Sequence, residues 1–252
     1  LGRRSGALGG LELLDESLSH INQGEARVHL PFPHKPTWRR SAVTGKRSGT
    51  PFISTHGVGL ERTIEVHQDG GDHGRRRTVE AAHLGRTVLS TANGADTPTA
   101  LLARETMRRW RLMQLHAPAL GQPDDFGAPD TLGRDGAHLA ATIYRLCQGR
   151  PGAQILKRVG ARLASVYPEV RELRLVVDDA RRQIRLEVID GQRTSYPIGS
   201  LGDGCLGLLG LATHAEDPMS AHLLCLDGPE RGLHPAGVPP LLDLLQGMVS
   251  DV

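Results

Sequence analysis

Apolar and polar positions follow two different periods along this chain, and the change of period divides it. Up to about residue 95 the apolar residues come in short runs: ARVHL at 26–30, PFIS at 51–54, LERTIEVH at 60–67 and RTVLST at 86–91. Polar, glycine-rich connectors such as SGALGG and HQDGGDHG separate them, a pattern that predicts small antiparallel strands with long loops. From Thr97 the spacing becomes helical. TPTALLARETMRRWRLMQL offers Thr97 as N-cap and Pro98 in the first turn, with Leu101, Leu102, Met107, Trp110 and Met113 near one face. After an irregular stretch marked by Pro118, Pro123 and Pro129, two more helices are predicted. RDGAHLAATIYRLCQG places Leu139, Ile143 and Leu146 together, and AQILKRVGARLASVY places Ile155, Val159, Leu163 and Val166 on one stripe.

Alternation returns in ELRLVVDD and QIRLEVID, where Ile184, Leu186 and Val188 oppose Arg185 and Glu187, and Asp178 to Arg182 suits a hairpin turn. Next, a GDG turn opens an apolar helix through Leu206, Leu208, Leu209 and Leu211. The strand HLLCLD and a last helix, PPLLDLLQGMV, follow. A buried strand between two helices implies an α/β layer with a parallel strand. The expected organisation is a β-rich part over 1–95, a helical lobe over 96–170 and an α/β part over 171–252.

Composition narrows this only a little. Hydrophobic residues make up 38% of the 252 and aromatics 3%, so the core must be aliphatic. Net charge is +2, which does not select an acidic partner, although 27 of the 30 basic residues are arginine. Cys147, Cys205 and Cys225 form no paired spacing, which fits a reducing, cytoplasmic setting and gives no zinc pattern. No apolar run approaches the roughly 20 residues of a membrane helix, so no membrane partner is expected. The chain starts at Leu1 and ends at Val252 within a helical pattern, which reads as a fragment.

Two stretches carry candidate chemistry. In LLCLDGPERGLHP, residues 223–235, an apolar strand delivers Asp227 to the C-terminal edge of a sheet, where α/β folds bind ligands. In SLGDGCLGLLGL, residues 200–211, Gly202 and Gly204 flank Asp203 at a helix start, where exposed N–H groups suit a phosphate. Each alone reads first as a capped turn.

Together they resemble the C-terminal part of an ABC-type ATPase head, nearest the AAA-domain ATPases related to the OLD, RecF and SMC-type heads. The family reads approximately LSDGT-(L/R)-x-L-x-L and LLxxDEPENGLHP in these stretches. Leu201, Gly202, Asp203, Gly204 and Cys205 fall on the ABC signature, Asp227 on the Walker B aspartate, and Gly232-Leu233-His234-Pro235 on the segment after it. LGRDGAHLAATIYRL, residues 132–146, is similar to the family's LGxDGxNLAxxLYxL. The likeness spans residues 86–252 and fades before residue 80.

The resemblance implies a P-loop NTPase fold, ABC-ATPase-head-like, with a helical insert and antiparallel β elements. It implies ATP and Mg²⁺ as cofactors, Asp227 as the magnesium residue, and signature residues that face ATP on a second copy in a homodimer. His234 would contact the partner subunit, and nucleic acid or an effector protein would be a further partner. The departures weigh against turnover. Gly228 stands in place of the catalytic glutamate, leaving no catalytic residue to name; Gly202 replaces the signature serine and His138 an asparagine. No G-x-x-x-x-G-K-S/T loop is present: in VTGKRSG, residues 43–49, the position of the first glycine is Arg40, which makes Lys46 a surface lysine. Weak or undetectable ATP binding is therefore expected of this polypeptide by itself. The competing readings are a non-catalytic pseudo-ATPase interaction module and a decayed fragment. The spacings of His67, His73 and His83 suit no standard metal site, and the arginines at 75–77 and 104–111 read as solvated faces.

Overall fold

The computed structural model describes residues 2–3, 11–30, 36–43, 50–69, 74–81, 84–149, 152–220 and 223–249. The chain separates into two compact units, Leu1–Arg108 with Asp251–Val252, and Arg109–Ser250. Both α-helices and β-strands are present, the latter in antiparallel and parallel pairs. No helix among the described residues is long and apolar enough to cross a membrane.

The first unit opens with β1 (Gly2–Arg3) and β2 (Leu11–Glu12), which pair antiparallel, and two short helices, α1 (Ala26–His29) and α2 (Pro36–Ala42). Its main sheet is an antiparallel meander of β3 (Ile53–His56), β4 (Thr63–His67) and β5 (Arg76–Glu80). One face carries Ile53, Ile64 and Val66 into a small core with Leu13, Ala81, Ala92 and Ala100. Helix α3 (Pro98–Arg108) closes the unit.

Two of the runs expected to be strands are not. ARVHL forms the single turn α1, because Asn22 Oδ1 accepts the Glu25 N–H at 3.0 Å and starts a helical turn there. RTVLST becomes a 3-10 turn over Val88–Thr91: the Glu16 carboxylate accepts the N–H groups of Val88 and Leu89 at 2.7 and 2.8 Å, holding its first amides in helical order.

The long helix expected from Thr97 is also shorter than its pattern. It ends at Arg108, and Trp110–Met113 forms β6, which pairs in parallel with β11 (Leu223–Leu226). Pairing with a strand over a hundred residues away overrides the local helical spacing. Between these strands lie α4 (Ala117–Leu120), β7 (Asp124–Asp125), α5 (Leu139–Cys147), α6 (Gly152–Val166), β8 (Val170–Asp178), β9 (Gln183–Asp190), β10 (Ser195–Pro197) and α7 (Asp203–Glu216). α8 (Val238–Met248) follows. β9 pairs with β8 along one edge and with β10 and β7 along the other, all antiparallel.

Helix α7 is the centre of this unit. Leu206, Leu208, Leu209 and Leu211 are all buried, around most of the helix, leaving the side of Asp203 and Gly207 open. Each contributes about 1.5–3 kcal/mol on burial. α4, α5, α6 and α8 pack around it, and at its C-terminal end Arg145 Nη2 meets Asp217 Oδ2 at 2.6 Å. α5 starts from His138 in the left-handed region (φ 66°), which asparagine enters more readily than most residues. Its Nδ1 lies 2.9 Å from the buried Asp124, which also accepts the Ala141 N–H.

The β8–β9–β10 sheet carries an ionic cluster whose pH response can be worked out. Ser195 and then Arg174, with Arg185 beside them, hold the Glu187 carboxyl down at about 2. A carboxyl depressed on folding stabilises the native state fully above its ordinary value of 4.5, and loses that contribution as pH falls towards 2. Thermal melts between pH 7 and pH 2 should therefore show Glu187→Gln melting below the parent at neutral pH, with the difference closing as the acid limb is descended. A constant difference across the range would contradict this assignment.

Candidate functional site

The C-terminal edge of the β6–β11 pair gathers most of the polar groups that sequence reasoning singled out. The register sets Leu226 beside Met113, and the Asp227 N–H continues the ladder by donating to the Met113 carbonyl at 3.1 Å. Asp227 therefore emerges next to Gln114, whose Nε2 donates to Asp227 Oδ2 at 3.0 Å. Below this pair, on the same face by alternation, lie Trp110, Leu112, Leu223 and Cys225. Trp110, Leu112 and Leu223 are 46%, 59% and 44% exposed. The opposite face turns Met113, Leu224 and Leu226 to the core.

A cleft of about 180 Å³ opens at this edge. It is lined by Asp227, Gly228 and Arg231 after β11, by Asp203 and Gly207 of α7, and by His116 and its neighbours after β6. Two glycines bring the two turns together. A methyl group on Gly204 would lie 2.4 Å from the Gly232 carbonyl oxygen, and one on Gly232 would lie 2.9 Å from the Gly204 nitrogen. Gly232 is also left-handed, at φ +77°. The start of α7 thus rests directly on the backbone of the turn after β11, and any side chain at either position would force them apart. No side chain caps α7, leaving its first amides without an intrahelical partner.

The residues expected at the site divide into two groups. Asp203 and Asp227 meet in the cleft, and Gly204 sets their approach. Gly202 caps α7 through its backbone at the exposed start of the helix, and Leu201 packs against the core. Cys205 is buried, bonded through its thiol to Tyr167, and burial pushes that thiol up. His234 accepts the Ala236 N–H on Nδ1 at 3.3 Å and so caps the 3-10 turn Pro235–Gly237 that leads into α8. Neither Cys205 nor His234 lines the cleft. Lys46, His73 and His83 lie outside the described residues. Among the described residues no group of three His, Cys, Asp or Glu is placed to hold a metal ion.

Three residues at this edge escaped the sequence reading. Gln114 has meaning only through the β6–β11 register. Arg231 brings a guanidinium, and His116 an imidazole, to a cleft that also holds two aspartates. Arg231 also bears on Gly228. Gly228 has φ +59°, and a Cβ there would lie 3.2 Å from Arg231 Nη2. A glutamate at 228 would adopt a left-handed backbone at a cost of roughly 1–2 kcal/mol and would start its side chain beside a guanidinium. The glycine is therefore suited to the turn it occupies, quite apart from what a carboxylate would do there.

Comparison of the sequence with models of known families and with curated proteins finds no match.

The glycine contact makes opposite predictions for two positions of one helix. Gly204→Ala meets backbone and should lower stability by about 1–3 kcal/mol or more. Gly207→Ala meets open space and should raise it by about 0.5–1 kcal/mol through helix propensity. Urea denaturation of both variants checks this; equal effects of one sign would contradict the packing described.

Proposed function

We propose that residues 109–250 form part of an ABC-type ATPase head, within a P-loop NTPase core, and that the cleft receives phosphate groups of Mg·ATP without hydrolysing it. The observation that carries this reading is the Asp227–Gln114 pair at the C-terminal edge of two parallel strands, with the uncapped start of α7 in the same cleft. An acidic residue at a strand end and free amides at a helix start are complementary to magnesium and to phosphate respectively.

The residues present fit part of the ligand. Pockets that enclose a whole organic ligand span roughly 300–1,000 Å³, so a cleft of about 180 Å³ suits phosphate groups and not an entire nucleotide. Magnesium is held by one or two carboxylates, with phosphates and water completing its shell, and Asp227 beside the Gln114 amide suits that donor set. When bound, the ion would neutralise phosphate charge. Asp227 would anchor it, Gln114 would orient the carboxylate, and Arg231 would offset phosphate charge from the side. The exposed apolar face of β6 and β11 agrees with a head completed by further structure, because parallel strands are ordinarily covered on both faces.

Turnover is the part of the ATPase reading that Gly228 and Arg231 oppose. The position after Asp227 has no group to polarise a water, and its neighbour is a cation. Nucleotide binding without hydrolysis, the behaviour of a pseudo-ATPase module, is the form of the function these two residues favour.

Calorimetric titration of the chain with Mg·ATP should give weak binding that disappears with EDTA, with no phosphate released on prolonged incubation. Asp227→Asn should weaken it by about tenfold or more, as expected for loss of a charged ligand. Binding that is indifferent to magnesium, or to Asp227→Asn, would overturn the proposal.

A further inference from the structure

The first unit contains a cavity of about 150 Å³ that is unrelated to the cleft beside Asp227. It lies between the core face of the β3–β4–β5 meander and the segment running from Leu84 to Ala100. Its floor is apolar: Ile53, Val66, Ala92 and Ala100 are all buried. Its rim carries two arginines, Arg77 and Arg86.

Arg77 is on the core face. The register sets Ile53 beside Val66 and Val66 beside Arg77, and directly opposed residues of antiparallel strands share a face. A guanidinium therefore completes a row begun by two core side chains. No side-chain hydrogen bond or ion pair joins the guanidinium of Arg77 or Arg86 to any described residue, although Arg76 on the opposite face is paired with Glu65 at 3.3 Å. Several other polar groups of the lining are already engaged, and the uncharged Gln68 and Thr87 complete it. Asn93 Oδ1 accepts the N–H groups of Ala95 and Asp96, and Asn93 Nδ2 donates to Asp96 Oδ2. Thr97 Oγ1 bonds the Asn93 backbone, and the N–H groups of Val88 and Leu89 are taken by Glu16. The one carboxylate of the lining, Asp96, is thus directed at Asn93 and not at an arginine.

What is left over is an apolar floor and, at its edge, two cations whose side chains have no ion-pair partner among the described residues. The structure assigns to this cavity a small organic carboxylate, its apolar body on Ile53 and Val66 and its anionic end between Arg77 and Arg86. A cavity of this order accepts a six-carbon ring, and the guanidinium fork matches a carboxylate in shape and charge. This site goes beyond the nucleotide reading and does not depend on it.

Benzoate is the probe, with benzyl alcohol as its uncharged counterpart, both titrated into the full chain with methyl groups observed by NMR. Benzoate should shift the methyl resonances of Ile53 and Val66 saturably at millimolar concentration, and benzyl alcohol should bind at least about tenfold more weakly. Arg77→Met keeps an apolar stem in the row, and Arg86→Gln changes only a rim residue; each should weaken benzoate about tenfold and leave benzyl alcohol unchanged. Equal binding of the two compounds, or benzoate affinity that survives both substitutions, would overturn the assignment. So would the absence of any shift, in which case Arg77 serves only to keep further strands from adding to the edge strand β5.

Discussion

The approach of Gly204 to Gly232 is the contact on which the second unit's functional edge depends. It joins the start of the most buried helix to the turn after a strand, backbone against backbone, with no room for a side chain on either partner. Because α7 is fixed by buried leucines around most of its circumference and by Arg145 at its far end, the contact transmits the position of the core to the turn that holds Asp227. The cleft is a consequence of two elements forced close together at one end. Its polar residues need no elaborate network of their own to be held in place.

The parallel pair β6–β11 supplies the other half of the arrangement. Each strand is only four residues long, and the ladder ends by setting an amide and a carboxylate side by side. One face is tied to the core and the other is apolar and open. A short parallel pair in that condition is an unfinished layer in physical terms, and the site lies at its edge. The proposed magnesium and phosphate site rests on the carboxylate that the strand end supplies and on a helix start that no side chain caps. Gly228 and Arg231 then limit what such a ligand would undergo, since Gly228 offers no basic oxygen to activate water and Arg231 sets a cation beside it.

Sequence periodicity was informative wherever an element's own residues decide its structure. The β8–β9 hairpin, α6 and the leucine-rich α7 follow their patterns because alternation or stripe continues without interruption. It failed where a distant or lateral contact decides. ARVHL yields to the turn set by Asn22, RTVLST to the carboxylate of Glu16, and WRLM to a partner strand far along the chain. At the site, Asp227 and Asp203 were legible as a strand end and a helix start. Cys205 and His234, taken from the same motifs, turn instead to Tyr167 and to the cap of a 3-10 turn. Gln114 could not be recognised without the register, nor could Arg231 without the left-handed turn at Gly228.

The central claim is that a magnesium ion and phosphate are held where Asp227 meets Gln114. Manganese can replace magnesium and broadens NMR signals close to it, so the most direct measurement is the spectrum of the ¹⁵N-labelled chain titrated with Mn·ATP. The account predicts that the Gln114 side-chain amide and the backbone amides of Asp227 and Gly228 broaden first, and that Asp227→Asn abolishes the effect. Broadening centred away from these residues, or unchanged in Asp227→Asn, would contradict it.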